Sequence, residues 1–146
     1  MDVYKQIETD DELKMVMPLI EEFAQRTGAG FSQCLNEVTV SMSNLSHLSM
    51  IWLDGDLIKG YICGYFISPT EFWLTQGLKK VDGKSPEDVE VVEAYFKEVI
   101  KRGGRVILGQ TLLNPAIFER WGLKFSRFLV RRDFTEDEIK EATNGK

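Results

Sequence analysis

Residues 71 to 112 constrain the fold most. Glu71 to Leu78 reads as a strand, Ser85 to Arg102 as a helix and Arg105 to Leu112 as a second strand. A helix standing directly between two strands is a crossover, and a crossover brings its strands into one sheet in parallel. Both helix ends are marked. Ser85 supplies a capping hydroxyl, Pro86 takes the first position, and Asp88 follows three residues after the cap. Val89, Val92, Phe96, Val99 and Ile100 make one apolar stripe, Lys97, Lys101 and Arg102 sit late as the helix dipole favours, and Gly103-Gly104 stops the helix.

The segments before this unit supply more of the sheet. Val3 to Ile7 alternates as a strand, and Thr9-Asp10-Asp11-Glu12 is a capping box that starts a helix. Leu13, Val16, Met17, Ile20, Phe23 and Ala24 recur at helical spacing; Pro18, which lacks an amide donor, is predicted to kink or split the helix, and Gly28 and Gly30 end it. Phe31 to Leu45 reads as a second helix with Cys34, Leu35, Val38 and Met42 on its apolar side. Leu48 to Leu53 and Leu57 to Ile67 are apolar, β-branched and aromatic runs joined by Asp54-Gly55-Asp56, which is hairpin chemistry. Ser68-Pro69-Thr70 turns into Glu71 to Leu78, the third strand of a meander. After the crossover, Asn114-Pro115 begins a short helix through Trp121 with Gly122 as its cap, and Ser126 to Phe134 is the last strand. Residues 1–134 are expected to form a single domain, and residues 135–146 an acidic tail that is either a short helix or a frayed end.

Composition closes off several classes of function. In 146 residues, 43% apolar and 28% charged content is ordinary for a globular domain and excludes collagen, coiled-coil arrays and disorder. With 18 Lys and Arg against 23 Asp and Glu, the net charge of −5 opposes a broad phosphate-binding surface, so no nucleic acid partner is expected. No apolar run reaches the roughly 18 to 20 residues of a membrane span, and MDVYKQIETDDELK lacks the order of a secretion signal, so a cytoplasmic protein without a membrane partner is expected. Cys34, Cys63 and the single histidine, His47, match no metal spacing. The cysteines read as buried structural thiols, and His47 reads as a strand-end residue unless it serves as a base.

The order of elements and two segments resemble the GNAT N-acetyltransferase superfamily over essentially the whole chain. Asn114-Pro115-Ala116-Ile117-Phe118-Glu119-Arg120-Trp121-Gly122-Leu123 is similar to the family's Asn-x-x-Ala-x-x-Phe-Tyr-Glu-Lys-Leu-Gly-Phe segment, one to three residues shortened. Asp54-Gly55 followed by Ile58-Lys59-Gly60-Tyr61-Ile62 is similar to the family's second hairpin. The resemblance implies an α+β fold: a mostly antiparallel mixed sheet with one parallel, splayed strand pair and helices on both faces.

It also implies a site. The family binds the pyrophosphate of acetyl-CoA in an Arg/Gln-x-x-Gly-x-Gly/Ala loop after its fourth strand. The stretch Leu78-Lys79-Lys80-Val81-Asp82-Gly83-Lys84-Ser85-Pro86-Glu87 stands there without that motif. A helix N-terminus, the close approach allowed by Gly83, and the charges of Lys79, Lys80 and Lys84 still suit an anion, whereas Pro86 removes an amide and Asp82, Glu87 and Asp88 add carboxylates. By the same resemblance Gln76, Gly77 and Leu78 offer backbone groups to pantetheine, Ser85 caps the phosphate-facing helix, and Asn114 reaches the cofactor or simply caps its own helix. Phe118 holds the place of the tyrosine that protonates the leaving thiolate, and phenylalanine cannot donate a proton.

Glu71 is the candidate base: a carboxylate beside Phe72 or Trp73 could have its pKa raised into a useful range, or be an exposed turn acid. Phe66, Phe72, Trp73, Trp121, Phe125 and Phe128 read as core, and Arg127, Arg131 and Arg132 as a basic stripe or a solvated edge. The function expected is acetyl transfer from acetyl-CoA, without a metal, to a small-molecule or protein amine. The alternative is a catalytically inactive GNAT-like binding or regulatory module, with a sensor and a homodimer as open options.

Overall fold

The computed structural model describes residues 2–79, 87–110, 122, 124–126 and 129–144. Seven strands form one sheet in the order β1-β2-β3-β4-β5-β7-β6. Two compact units divide the chain: residues 1–65 with 75–84, and residues 66–74 with 85–146. The boundary falls inside one strand, β4 (Glu71–Lys79).

In the first unit, β1 (Asp2–Gln6) pairs antiparallel with β2 (His47–Asp54), which pairs antiparallel with β3 (Leu57–Phe66). Gly55, at φ 62°, makes the tight turn between β2 and β3. Helix α1 (Asp10–Thr27) starts at the expected capping box, with the Glu12 amide donating to Thr9 Oγ1 at 3.1 Å and the Thr9 amide donating to Glu12 Oε1 at 3.1 Å. It ends at Gly28 in the left-handed conformation.

The predicted interruption at Pro18 does not occur as a split: α1 is one helix across it. Proline orphans the carbonyl four residues earlier, here that of Lys14, and both Pro18 and Lys14 lie on the exposed side where water can satisfy it. The buried stripe Val16, Leu19, Ile20, Phe23 and Ala24 spans the proline and holds both halves in register. Helix α2 (Phe31–Ser41) is four residues shorter than predicted and buries Cys34 and Val38.

In the second unit, β4 runs parallel to β5 (Val106–Gln110), as the crossover requires, in the register Glu71↔Val106 to Leu74↔Gly109. The connecting helix α3 (Glu87–Lys101) buries Val91, Val92, Tyr95, Phe96, Val99 and Ile100. An aromatic chain runs through this core: Phe66–Phe72, Phe72–Tyr95, Tyr95–Phe96 and Phe96–Phe134 meet edge-on with centroids 4.9, 5.9, 6.3 and 5.8 Å apart. Gly104 is obligatory here, because a Cβ would stand 2.4 Å from Val99 Cγ1 and 2.9 Å from the Val99 carbonyl oxygen.

The predicted last strand is two strands, β6 (Lys124–Ser126) and β7 (Leu129–Asp133), paired antiparallel, so β7 is interior to the sheet. The arginines therefore do not form a stripe along an edge. Arg131 is exposed and pairs with Asp133 at 2.8 Å. Arg132 lies over the Phe96 and Phe134 rings and pairs with Glu93 at 3.0 Å and with Glu138. Arg127, Phe128 and Trp121 lie outside the described residues. The segment after Phe134 is a helix, α4 (Glu136–Thr143), which packs against α3, is capped by Thr135 and buries Ala142.

Two glutamates carry an acid-sensitive share of the stability. Burial opposes ionisation of both, yet Lys5 and the Glu8 and Thr9 amides hold Glu12 below the ordinary value of 4.5, and the Thr135 amide and Arg132 do the same for Glu138. A carboxyl with a depressed folded-state pKa stabilises the fold above its unfolded pKa, and that share is lost as pH falls through the folded value. The urea midpoint is therefore expected to hold near neutrality and to drop from about pH 5 downward. The Glu12→Gln/Glu138→Gln variant should be less stable at pH 7 and lose less on acidification; an acid limb as steep as the parent's would contradict this.

Among the described residues no helix is long and apolar enough to cross a membrane.

Candidate active site

Of the candidate residues, Glu71, Gln76, Gly77, Leu78 and Lys79 belong to β4. Glu71, the candidate base, opens β4. Its amide donates to Ser68 Oγ at 3.0 Å, its carbonyl accepts from the Ile67 amide at 3.0 Å, and its side chain is half-buried. The turn Ser68-Pro69-Thr70 thus fixes where the strand starts, and with it the position of the carboxylate.

Five residues further on, Gln76 is buried, at 4% exposure. Its side chain is bonded at both ends. The Tyr61 hydroxyl donates to Oε1 at 2.9 Å, and Nε2 donates to the Cys34 carbonyl at 3.0 Å and to Glu37 Oε1 at 3.0 Å. One amide therefore ties β4 to β3 and to α2. The Gln76 side chain is committed to the core, which leaves only its backbone for any ligand. Gly77 is not demanded by crowding, since a Cβ there would meet the Tyr61 carbonyl oxygen at an ordinary 3.7 Å. Leu78 and Lys79 complete β4. Lys80, Gly83, Lys84 and Ser85, and likewise Asn114 and Phe118, lie outside the described residues.

The two thiols and the phenol near Gln76 are kept neutral. Burial pushes the Cys63 thiol up to about 12 even with the Ser49 and Thr75 hydroxyls beside it, and burial with the nearby Glu37 charge raises Cys34 as well. Tyr61 is raised in the same way. Both cysteines are free and buried, so neither is an activated nucleophile. Ser49 stands directly opposite Cys63 in the β2–β3 register, and its hydroxyl has no bond that meets hydrogen-bond geometry. His47 begins β2, with Nδ1 3.2 Å from Ser46 Oγ and its ring against Tyr65 at 5.2 Å. No group of three metal-ligating side chains occurs among the described residues.

Tyr61 and Glu37 are absent from the sequence-based set. Their one sequence signal is placement: Glu37 stands one turn after Cys34 and beside Val38 on the apolar side of α2, an unusual place for an acid, and Tyr61 is a polar-ended aromatic in the middle of an apolar strand.

A seven-stranded mixed sheet whose β4 and β5 run parallel, with four described helices in this order, is the GNAT acetyltransferase fold. Solved structures match it along nearly the whole chain. A candidate acetyltransferase of the GNAT family from Desulfovibrio desulfuricans superposes with a TM-score of 0.76 at 13% identity, covering 91% of this chain and 99% of that one. An aminoglycoside 6′-N-acetyltransferase complexed with coenzyme A matches at 0.74 and 14% identity, covering 90% and 96%. The PaiA N-acetyltransferase of Thermoplasma acidophilum, in complex with coenzyme A, matches at 0.72 and 14% identity, covering 92% and 99%. No family model matches the chain, and no curated protein matches it by sequence.

Proposed function

We propose that the chain is an acyl-CoA-dependent N-acyltransferase that moves an acetyl group from acetyl-CoA to a primary amine. The observation that carries this reading is the match of about nine-tenths of the chain to acetyltransferase structures, two of which hold coenzyme A. In this reading the backbone of Gln76, Gly77 and Leu78, on the part of β4 beyond its last partner in the β5 register, pairs with pantetheine. Lys79, Lys80 and Lys84 with the backbone of Gly83 and Ser85 receive the pyrophosphate, and Asn114 and Phe118 border the cofactor. Glu71 takes the first proton of the ammonium group; the free amine attacks the thioester carbonyl, the C–N bond forms, the C–S bond breaks, the nitrogen gives its second proton to water, and the thiolate takes a proton back from water because Phe118 has none to give.

The second reading, a catalytically inactive GNAT-like module, is favoured by the altered loop at 78–87 and by Phe118. A thermal-shift titration separates the two. Acetyl-CoA at 100 times its dissociation constant should add about 2.7 kcal/mol to the unfolding free energy, roughly 5 to 10 °C for a chain of this size. A shift followed by amine-dependent release of CoA thiol supports transfer. A shift without turnover against a broad amine panel supports the module, and the absence of any shift overturns the acyltransferase reading.

A further inference from the structure

Helix α4 is fastened to the second unit by little apolar surface. Ala142 is its one fully buried side chain, Ile139 and Glu138 are half-buried, and its other residues face solvent. A helix of eight residues is also too short to hold by itself in water. Charge must supply the rest. Glu141 reaches Lys97 of α3 at 3.7 Å, but those side chains are 67% and 43% exposed, where an ion pair is worth little. That leaves Glu138.

The Glu138 carboxylate makes two kinds of contact at once. Its Oε1 accepts from the Thr135 amide at 3.0 Å, while the Glu138 amide donates to Thr135 Oγ1 at 3.1 Å, which closes the capping box that starts α4. Its Oε2 accepts from Nη2 of Arg132, on β7. The first contact forms the helix and the second docks it. The receiving side is built without α4: Nη1 of Arg132 donates to Glu93 of α3 at 3.0 Å, the guanidinium lies over the Phe96 ring, and Gly122 stands so close that a Cβ there would meet the Arg132 side chain at 3.4 Å. The backbone is anchored as far as Phe134, whose amide donates to the Arg105 carbonyl at 2.9 Å, so Thr135 is the first residue able to act as a hinge.

We infer that α4 is a latch that folds and docks in one step, with Glu138 as its fastening, and that it opens at Thr135 while α3 and β7 keep their structure. The other charges near the contact do not replace Glu138. Glu93 already shares Arg132, Lys97 is engaged by Glu141, and Arg131 and Asp133 on β7 pair with each other at 2.8 Å. Within α4, Glu136, Asp137 and Lys140 are exposed. Because both contacts use the ionised carboxylate, the latch is closed near neutrality and opens as pH falls through the carboxylate range.

Amide hydrogen exchange on the full chain, read as protection relative to an unstructured chain, tests this. In the parent at pH 7 the Ile139 and Ala142 amides should be protected, though less than those of Phe96 and Val99 in α3. Glu138→Gln should reduce protection in α4 by about tenfold or more and leave α3 unchanged. Glu136→Gln, which removes an exposed acid of the same first turn, should cost only about two- to fivefold, the worth of a charge at a helix N-terminus. Acidification of the parent should strip protection from α4 before α3, and Glu138→Gln should show a smaller loss over the same range. An unprotected α4 in the parent, α4 and α3 protection that are equal and fall together, or α4 protection that survives Glu138→Gln, overturns the inference.

Discussion

Gln76→Leu is expected to be among the most damaging single changes in the first unit, lowering the unfolding free energy by about 2 to 4 kcal/mol in urea denaturation. The side chains are close in size, so packing changes little. What is lost is the partner of a buried hydroxyl: Tyr61, at 0% exposure, would keep an O–H with no acceptor, and the bond to the Cys34 carbonyl would disappear. The half-buried Glu37 can recover water, which sets the upper limit. Tyr61→Phe should cost less, about 1 to 2 kcal/mol, because it orphans only a carbonyl-type acceptor. The double variant should cost less than the sum, by about 0.5 to 3 kcal/mol. Strict additivity would mean that the two groups do not depend on each other.

The largest expected effect on activity is a gain. If acetyl transfer occurs, Phe118→Tyr should raise turnover by up to roughly 10² to 10⁴, the usual worth of general acid help, since the ring keeps its volume and acquires only a donor. The measurement is CoA thiol release under saturating amine, paired with acetyl-CoA affinity. An unchanged affinity with higher turnover supports the role. An unchanged rate in a variant that binds acetyl-CoA means either a misplaced hydroxyl or a domain that does not transfer. A loss of about 1 to 3 kcal/mol in stability would identify position 118 as core.

The elements that the sequence made legible are those specified by neighbours in the chain. The capping box at Thr9, the turn at Gly55 and the stop at Gly103-Gly104 are all local, and the crossover from Glu71 to Val106 dictates a parallel pair whatever the rest of the chain does. The misreadings have a common cause, which is that a distant partner overrides a local rule. Pro18 does not split α1, because residues 14 and 18 lie on its exposed side while the stripe on the other side is buried. Arg132 looks like a solvated edge charge until Phe96, Phe134, Glu93 and Glu138 surround it. At the candidate site the same logic applies to Gln76: its bonds reach Tyr61, 15 residues away, and Cys34, 42 residues away, distances over which no periodicity carries information. The fold was therefore readable from local signals and a family resemblance, whereas the network that anchors Glu37 was not.

The division of the chain inside β4 sets an order of events during synthesis. Neither compact unit is one uninterrupted stretch: the first takes residues 1–65 and then residues 75–84, after the chain has already contributed 66–74 to the second. As the polypeptide emerges from its N-terminus, β1, both early helices and the β2–β3 hairpin can assemble from near neighbours. Tyr61 and Glu37 nevertheless wait for Gln76 before their hydrogen bonds can close. An interrupted chain ending near residue 70 would carry an unpaired β3 edge and an unsatisfied buried hydroxyl, the kind of surface that recruits other strands. A chain that continues past Gln76 can pair the β3 edge and satisfy that hydroxyl, and is expected to aggregate less than one ending near residue 70.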